Sequence, residues 1–201
     1  GKPAPGNLMK ELARKRDLIH NSEIRFANAI GAAVFEKPRV SYWMVLLPFL
    51  FAYFFYRMQK YKNGRRKFDQ DFMITRDRTL DAAVEGLLKR QPADVASVVR
   101  RSSLPDPLRK PYGAWVRTLA AHYTDLLAAE GDTYEHLVRA AYRGRGNYLL
   151  AVNGLNKAES QFYAALRPSI EAQPEAAADI IATIEKTSQD LRRQAAERIF
   201  P

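Results

Sequence analysis

The sequence contains no cysteine. Disulfides, thiolate zinc sites, iron–sulfur clusters and cysteine catalysis are therefore excluded. Histidine is scarce, with only His20, His122 and His136. None stands in an HExxH motif, and no Glu-x-x-His pair of the di-iron bundle type occurs. Glu135 and His136 are adjacent, so on a helix they point to different sides. His122 lies between Leu119 and Tyr123 and reads as a bundle-edge residue. There is no phosphate-binding loop and no nucleophile elbow. The run GRGNYLLAVNG has glycines but no strand leading into it. No catalytic residue, metal ligand or cofactor-binding residue is expected, and the chain reads as a protein that is not an enzyme.

Acidic side chains are scarce in the first third. Residues 1–67 hold 14 basic and 4 acidic side chains, whereas residues 68–201 hold 18 of each. The formal net charge of +10 therefore belongs to the N-terminal third. A nucleic-acid binder would carry such charge on its folded surface. Here it flanks the most apolar stretch of the chain, and nucleic acid becomes the weaker reading. The run YRMQKYKNGRRKF does interleave aromatics with positives, but an adjacent membrane segment explains both features.

That stretch is residues 40–56, VSYWMVLLPFLFAYFFY, 17 residues without a charge. As a helix it would reach about 26 Å, at the short end for a membrane span. It is apolar all round, whereas a buried core helix is usually apolar over a limited stripe. We read Val40, Tyr42, Trp43, Leu46, Leu47, Pro48, Phe51, Phe54 and Tyr56 as lipid-facing span residues. Tyr42 and Trp43 at one end, with Tyr56 at the other, match interfacial aromatic belts. Pro48 removes one backbone donor at the centre. A single pass is preferred; a shallow hairpin turning at Pro48 is the alternative, and it would need protein around it. Arg57, Lys60, Lys62, Arg65, Arg66 and Lys67 follow the span, against Arg25, Lys37 and Arg39 before it. This excess predicts a cytoplasmic C-terminal region, with the six basic residues near anionic headgroups. Lys10, Arg14, Lys15 and Arg16 oppose translocation of the N-terminus and favour the hairpin.

Three regions are expected. Residues 1–38 form a basic amphipathic helical segment, 39–67 the membrane helix and basic juxtamembrane stretch, and 68–201 a cytoplasmic bundle. In the first, Leu8, Leu12, Leu18, Ile19, Ala27, Ile30 and Val34 share one side, and the basic residues lie largely elsewhere. Asn7 is expected to cap this helix, and Asn21-Ser22 to divide it with Ser22 as a second cap. The segment could lie on lipid, on a partner or on the protein's own bundle.

After residue 68 no alternating Val/Ile/Thr-rich run suggests a strand. The fold class is all-α: the membrane helix followed by an antiparallel bundle of long helices. Pro92 is expected to open a short helix, and the stretch SSLPDPLRKPYG to be a rigid connection. Gly131 is expected to stop the next helix, and Asp132 with Glu135 to cap its successor. From there Tyr134, Val138, Tyr148, Val152, Leu155, Phe162 and Leu166 recur at heptad spacing, which predicts a seam for a partner helix, internal or intermolecular. The pattern runs through Gly144, Gly146 and Gly154, which are expected to pack closely within one continuous helix. Arg145 and Glu159 also fall on the seam and are expected to reach water at its edge. Asp69, Asp71, Asp77 and Asp81 cluster after the basic run and read as a salt-bridged face, not a cation site.

The function expected from this is a membrane-anchored accessory or scaffold subunit that organises protein partners. These would be other subunits of a membrane complex or further copies of the chain. The alternative is a lipid-binding or membrane-remodelling protein that uses the basic amphipathic N-terminus.

Overall fold

The computed structural model describes residues 5–35, 64–102, 104–169 and 174–201. The apolar run 40–56, with Arg57, Lys60 and Lys62, lies outside the described residues. Among the described residues all regular structure is helical, and no helix is long and apolar enough to cross a membrane.

Helix α1 runs from Pro5 to Phe35. Leu12, Ile19, Ala27, Ile30 and Val34 are buried along one side, the stripe a 3.6-residue period produces. The expected division at Asn21-Ser22 is absent, and Asn7 lies inside the first turns instead of capping them. Apolar contacts on both sides of Asn21 hold the helix straight through, overriding a local preference for turns. Lys15 is an exception among the basic residues placed away from that stripe. It is buried and paired with Glu11 at 2.7 Å and Glu130 at 3.6 Å.

Helix α2, Gly64–Lys89, contains Arg65, Arg66 and Lys67 in its first turn. It ends in a Schellman arrangement: Gln91 N–H donates to Gly86 O at 2.8 Å and Arg90 N–H to Leu87 O at 3.2 Å. Arg90 takes the left-handed conformation, φ 55°. The returning loop passes so close to Gly86 that a Cβ there would lie 2.7 Å from Gln91 O. Helix α3, Val95–Arg101, is capped by Asp94, which accepts from Ser97 N–H at 2.9 Å. Pro92 only precedes it, because a carboxylate satisfies a free N–H and proline merely tolerates the position.

Helix α4, Asp106–Ala128, absorbs most of the segment expected to be a rigid connection. Pro107 sits in the first turn, where its missing N–H costs nothing, and Pro111 lies within the helix. The helix stops at Ala128, ahead of Gly131. Gly131 has a different role: a Cβ there would lie 2.7 Å from the His136 Cβ. Helix α5, Tyr134–Tyr142, is capped by Thr133, whose hydroxyl accepts from His136 N–H at 3.2 Å, and not by Asp132.

The predicted continuous helix from Tyr134 to Leu166 is broken. Arg143 adopts φ 59°, Gly144 is extended, and α6 begins at Arg145 and ends at Leu166. Asn147 stabilises the corner by donating its amide to Tyr142 O at 3.0 Å. A Cβ on Gly144, Gly146 or Gly154 would meet nothing within 4 Å, so these glycines do not pack closely. The heptad spacing still marks an inward face. Val138, Tyr148, Val152, Leu155, Phe162 and Leu166 are buried in the bundle's own core, and Tyr134 is partly buried against it. A 3-10 turn, Arg167–Ser169, contains Pro168 and follows α6 directly. Helix α7, Pro174–Ile199, completes the fold with Ile181 and Ile184 buried.

Five long helices form a closed ring in which α1 packs on α2, α2 on α4, α4 on α6, α6 on α7, and α7 on α1. Aromatics fill the α4–α6 seam: Trp115 stacks on Phe162 at 5.5 Å, and Tyr112 meets Trp115 edge-on at 5.9 Å. The N-terminal helix thus packs on the protein's own bundle. It runs antiparallel to α2: Arg16 meets Asp81, His20 meets Asp77, Glu23 meets Arg76, and Phe26 meets Phe72. Phe35 lies nine residues beyond Phe26, and Gly64 eight residues before Phe72. Both helices therefore run on by about 12–14 Å in the same direction.

Candidate functional site

Four helices bring charge to one point inside the ring. Arg76 of α2 donates from Nε to Glu23 Oε2 of α1 at 3.0 Å, and from Nη2 to Glu159 Oε1 of α6 at 3.0 Å. Arg192 of α7 donates from Nη1 to Glu159 Oε2 at 2.7 Å and to Asn156 Oδ1. Arg76 is 1% exposed, Glu159 3% and Arg192 7%. Charges so buried persist only when paired. The bidentate use of Glu159, one oxygen per guanidinium, provides that pairing.

Aromatic faces complete the enclosure. The Arg76 guanidinium lies 4.0 Å from the Phe72 ring centroid, and that of Arg192 lies 5.1 Å from Phe26. Burial opposes the charge on Glu159 most strongly, yet Arg192 and Arg76 outweigh it and hold the carboxyl below its ordinary value. Burial likewise opposes the charge on Arg76, and Glu159 and Glu23 reverse it. Arg76 Nη1 and the Tyr123 hydroxyl have no hydrogen-bond partner among the described residues.

A cavity of about 250 Å³ opens beside this centre, between α1, α5, α6 and α7. Glu23 and Arg192 form its charged wall, Tyr134 and Tyr148 stand opposite on α5 and α6, and Val152 and Leu155 form an apolar side. His122 reaches it from α4. This histidine is buried, not at the bundle edge, with Nδ1 2.5 Å from the Tyr142 hydroxyl. Burial, assisted by Arg192, pushes its pKa down to about 4, so it is neutral near pH 7.

Glu159 was expected to reach water; instead it is the hub of the ionic centre. Arg145 does lie at the surface, half exposed, 3.6 Å from Glu197. Asp77 and Asp81 pair with His20 and Arg16 at 2.8 Å, the salt-bridged face expected of them. Among the described residues no group of His, Asp or Glu is placed to hold a metal ion. Glu23, Arg76 and Arg192 were not singled out from the sequence. One signal was available. Arg76 interrupts the buried stripe of Phe72, Met73, Leu80 and Ala83. A charge in such a position needs a partner, but periodicity does not say which.

No known protein family, curated protein or solved structure matches the chain. Fold and site alone define the class: an all-helical bundle with a buried ionic centre and an adjoining cavity.

Proposed function

We propose that the protein is a non-catalytic accessory or scaffold subunit of a membrane complex, attached to one face of the bilayer through residues 40–56. The carrying observation is the antiparallel pairing of α1 with α2. Residues 36–63 leave and re-enter the bundle at the same end. A single pass would put α1 and α2 on opposite faces of the bilayer, where they could not pair. The pairing therefore favours the hairpin turning at Pro48 over the single pass. Each arm would be about 8 residues, roughly 12 Å deep.

So short a hairpin leaves backbone groups at its turn that lipid cannot satisfy. A neighbouring subunit or a second copy would satisfy them, which supports an accessory role. Lys37, Arg39, Arg57, Lys60 and Lys62 then lie at one surface. They mark it as the cytoplasmic face and attract anionic headgroups by about 1 kcal/mol each. Membrane remodelling by the N-terminal helix has less support, because α1 already uses its apolar stripe inside the bundle.

The absence of native cysteine makes the test direct. Single cysteines at the exposed positions Met9 and Leu150 are labelled with a membrane-impermeant maleimide in oriented vesicles. Both sites label from the cytoplasmic side if the hairpin reading holds. Labelling from opposite sides restores the single pass, and release of the chain by carbonate ends the anchoring proposal.

A further inference from the structure

The cavity beside the ionic centre has a charge arrangement that its own protein groups do not use up. Arg192 makes both of its hydrogen bonds through Nη1. Its Nε and Nη2 hydrogens meet no acceptor among the described residues, and the side chain lines the cavity. A guanidinium offers five N–H donors, and the Nε–Nη2 edge is a fork that fits the two oxygens of a carboxylate. The Phe26 ring, 5.1 Å from the guanidinium carbon, flanks that fork.

The remaining walls select for sign and shape. Arg25 and Arg198 also line the cavity, against the single acid Glu23, which already pairs with Arg76; Arg198 lies 3.7 Å from Glu135, so the surplus rests on Arg25. The surplus is positive, so the occupant is an anion. Val152, Leu155 and Leu191 provide apolar wall, and Tyr148 an aromatic one. The occupant therefore has an apolar body as well as a charged head. A space of about 250 Å³ lies below the roughly 300–1,000 Å³ that takes drug-sized ligands, so that body is short. Glu23 disfavours a dianion such as a phosphate monoester, whereas a carboxylate carries one charge and two oxygens.

We propose that this cavity is a binding site for a small monocarboxylate with a short aliphatic or monocyclic body. Its carboxylate sits on the Nε–Nη2 edge of Arg192, and its apolar part lies against Val152 and Leu155. Filling the cavity would tie α1 to α6 and α7, so the site is placed to report occupancy to the helix that leads into the membrane segment.

The full chain in detergent is titrated with benzoate and with hexanoate, followed by calorimetry and thermal unfolding. Saturable binding and a raised Tm are expected with either carboxylate, and neither with hexylamine or inorganic phosphate. Arg192→Gln should weaken binding roughly tenfold or more, since a charge-assisted bond is lost. Because that change also strips Glu159 of a partner, Ala195→Phe serves as the second variant. It fills the cavity without removing any partner from the ionic centre, and it should abolish binding while the fold persists. The proposal is overturned if the carboxylates give no saturable signal, if hexanol binds as well as hexanoate, or if folded Ala195→Phe binds as the parent does.

Discussion

Glu159 illustrates how much a single side chain can control here. It joins α2 to α7, because each of its oxygens accepts from a different arginine. Glu159→Gln would leave the buried Arg192 without a counter-charge and Arg76 with Glu23 alone. We expect a loss of about 3–5 kcal/mol, read from urea unfolding. A loss below about 1 kcal/mol would mean that the centre is open to water. His122 sets a pH dependence of stability. Its folded pKa of about 4 lies below the ordinary 6.5, so the unfolded chain binds its proton first. Its contribution is full above pH 6.5 and is lost as pH falls towards 4, by an order of a few kcal/mol. His122→Gln, which keeps a hydrogen-bonding partner for Tyr142, should flatten that limb of the stability–pH curve. An unchanged curve would show that His122 is not buried neutral.

At the scale of single elements, ends proved harder to read than middles. The buried stripe of α1 follows the predicted apolar positions, because burial acts on a periodic pattern that the chain carries. Caps do not work that way. Asp94 and Thr133 both accept from an N–H three residues on, yet Pro92 and Asp132 were equally reasonable on composition. Which oxygen reaches the N–H depends on the approach of the preceding loop. The end of α2 makes this testable. Gly86 is needed because the loop returns across it, whereas Arg90 holds a conformation that glycine would adopt more easily. Gly86→Ala should lower thermal stability by about 1–3 kcal/mol. Arg90→Gly should raise it by up to about 1 kcal/mol. Two changes of equal sign would show that the Schellman turn is wrongly described.

For the whole molecule, the closed ring makes α1 a structural stave, not an appendage. It supplies Glu23 to the ionic centre and one wall of the cavity. Replacing residues 36–63 by a short polar linker should therefore leave a bundle that keeps α1–α7 and one cooperative unfolding transition, no longer requiring detergent. Circular dichroism and calorimetry check this. Collapse of the fold would show that the membrane segment is itself part of the bundle. Removing residues 1–35 should be far more damaging, since Arg76 would lose a partner and the ring would open.

The sequence by itself determined the all-helical class, the inward stripes and the separation of a basic, apolar third from a neutral remainder. These follow from local quantities: periodicity, composition and the absence of strand patterns. It also carried the heptad spacing across residues 134–166, but not the corner at Arg143–Gly144 that divides it. Only the tertiary structure decided that Glu159 is a hub, that His122 is buried, and that α1 returns along α2. Each depends on residues tens of positions apart, as in the 53-residue separation of Glu23 from Arg76. No local pattern specifies which buried charge will meet which, because the pairing is fixed by how whole helices pack.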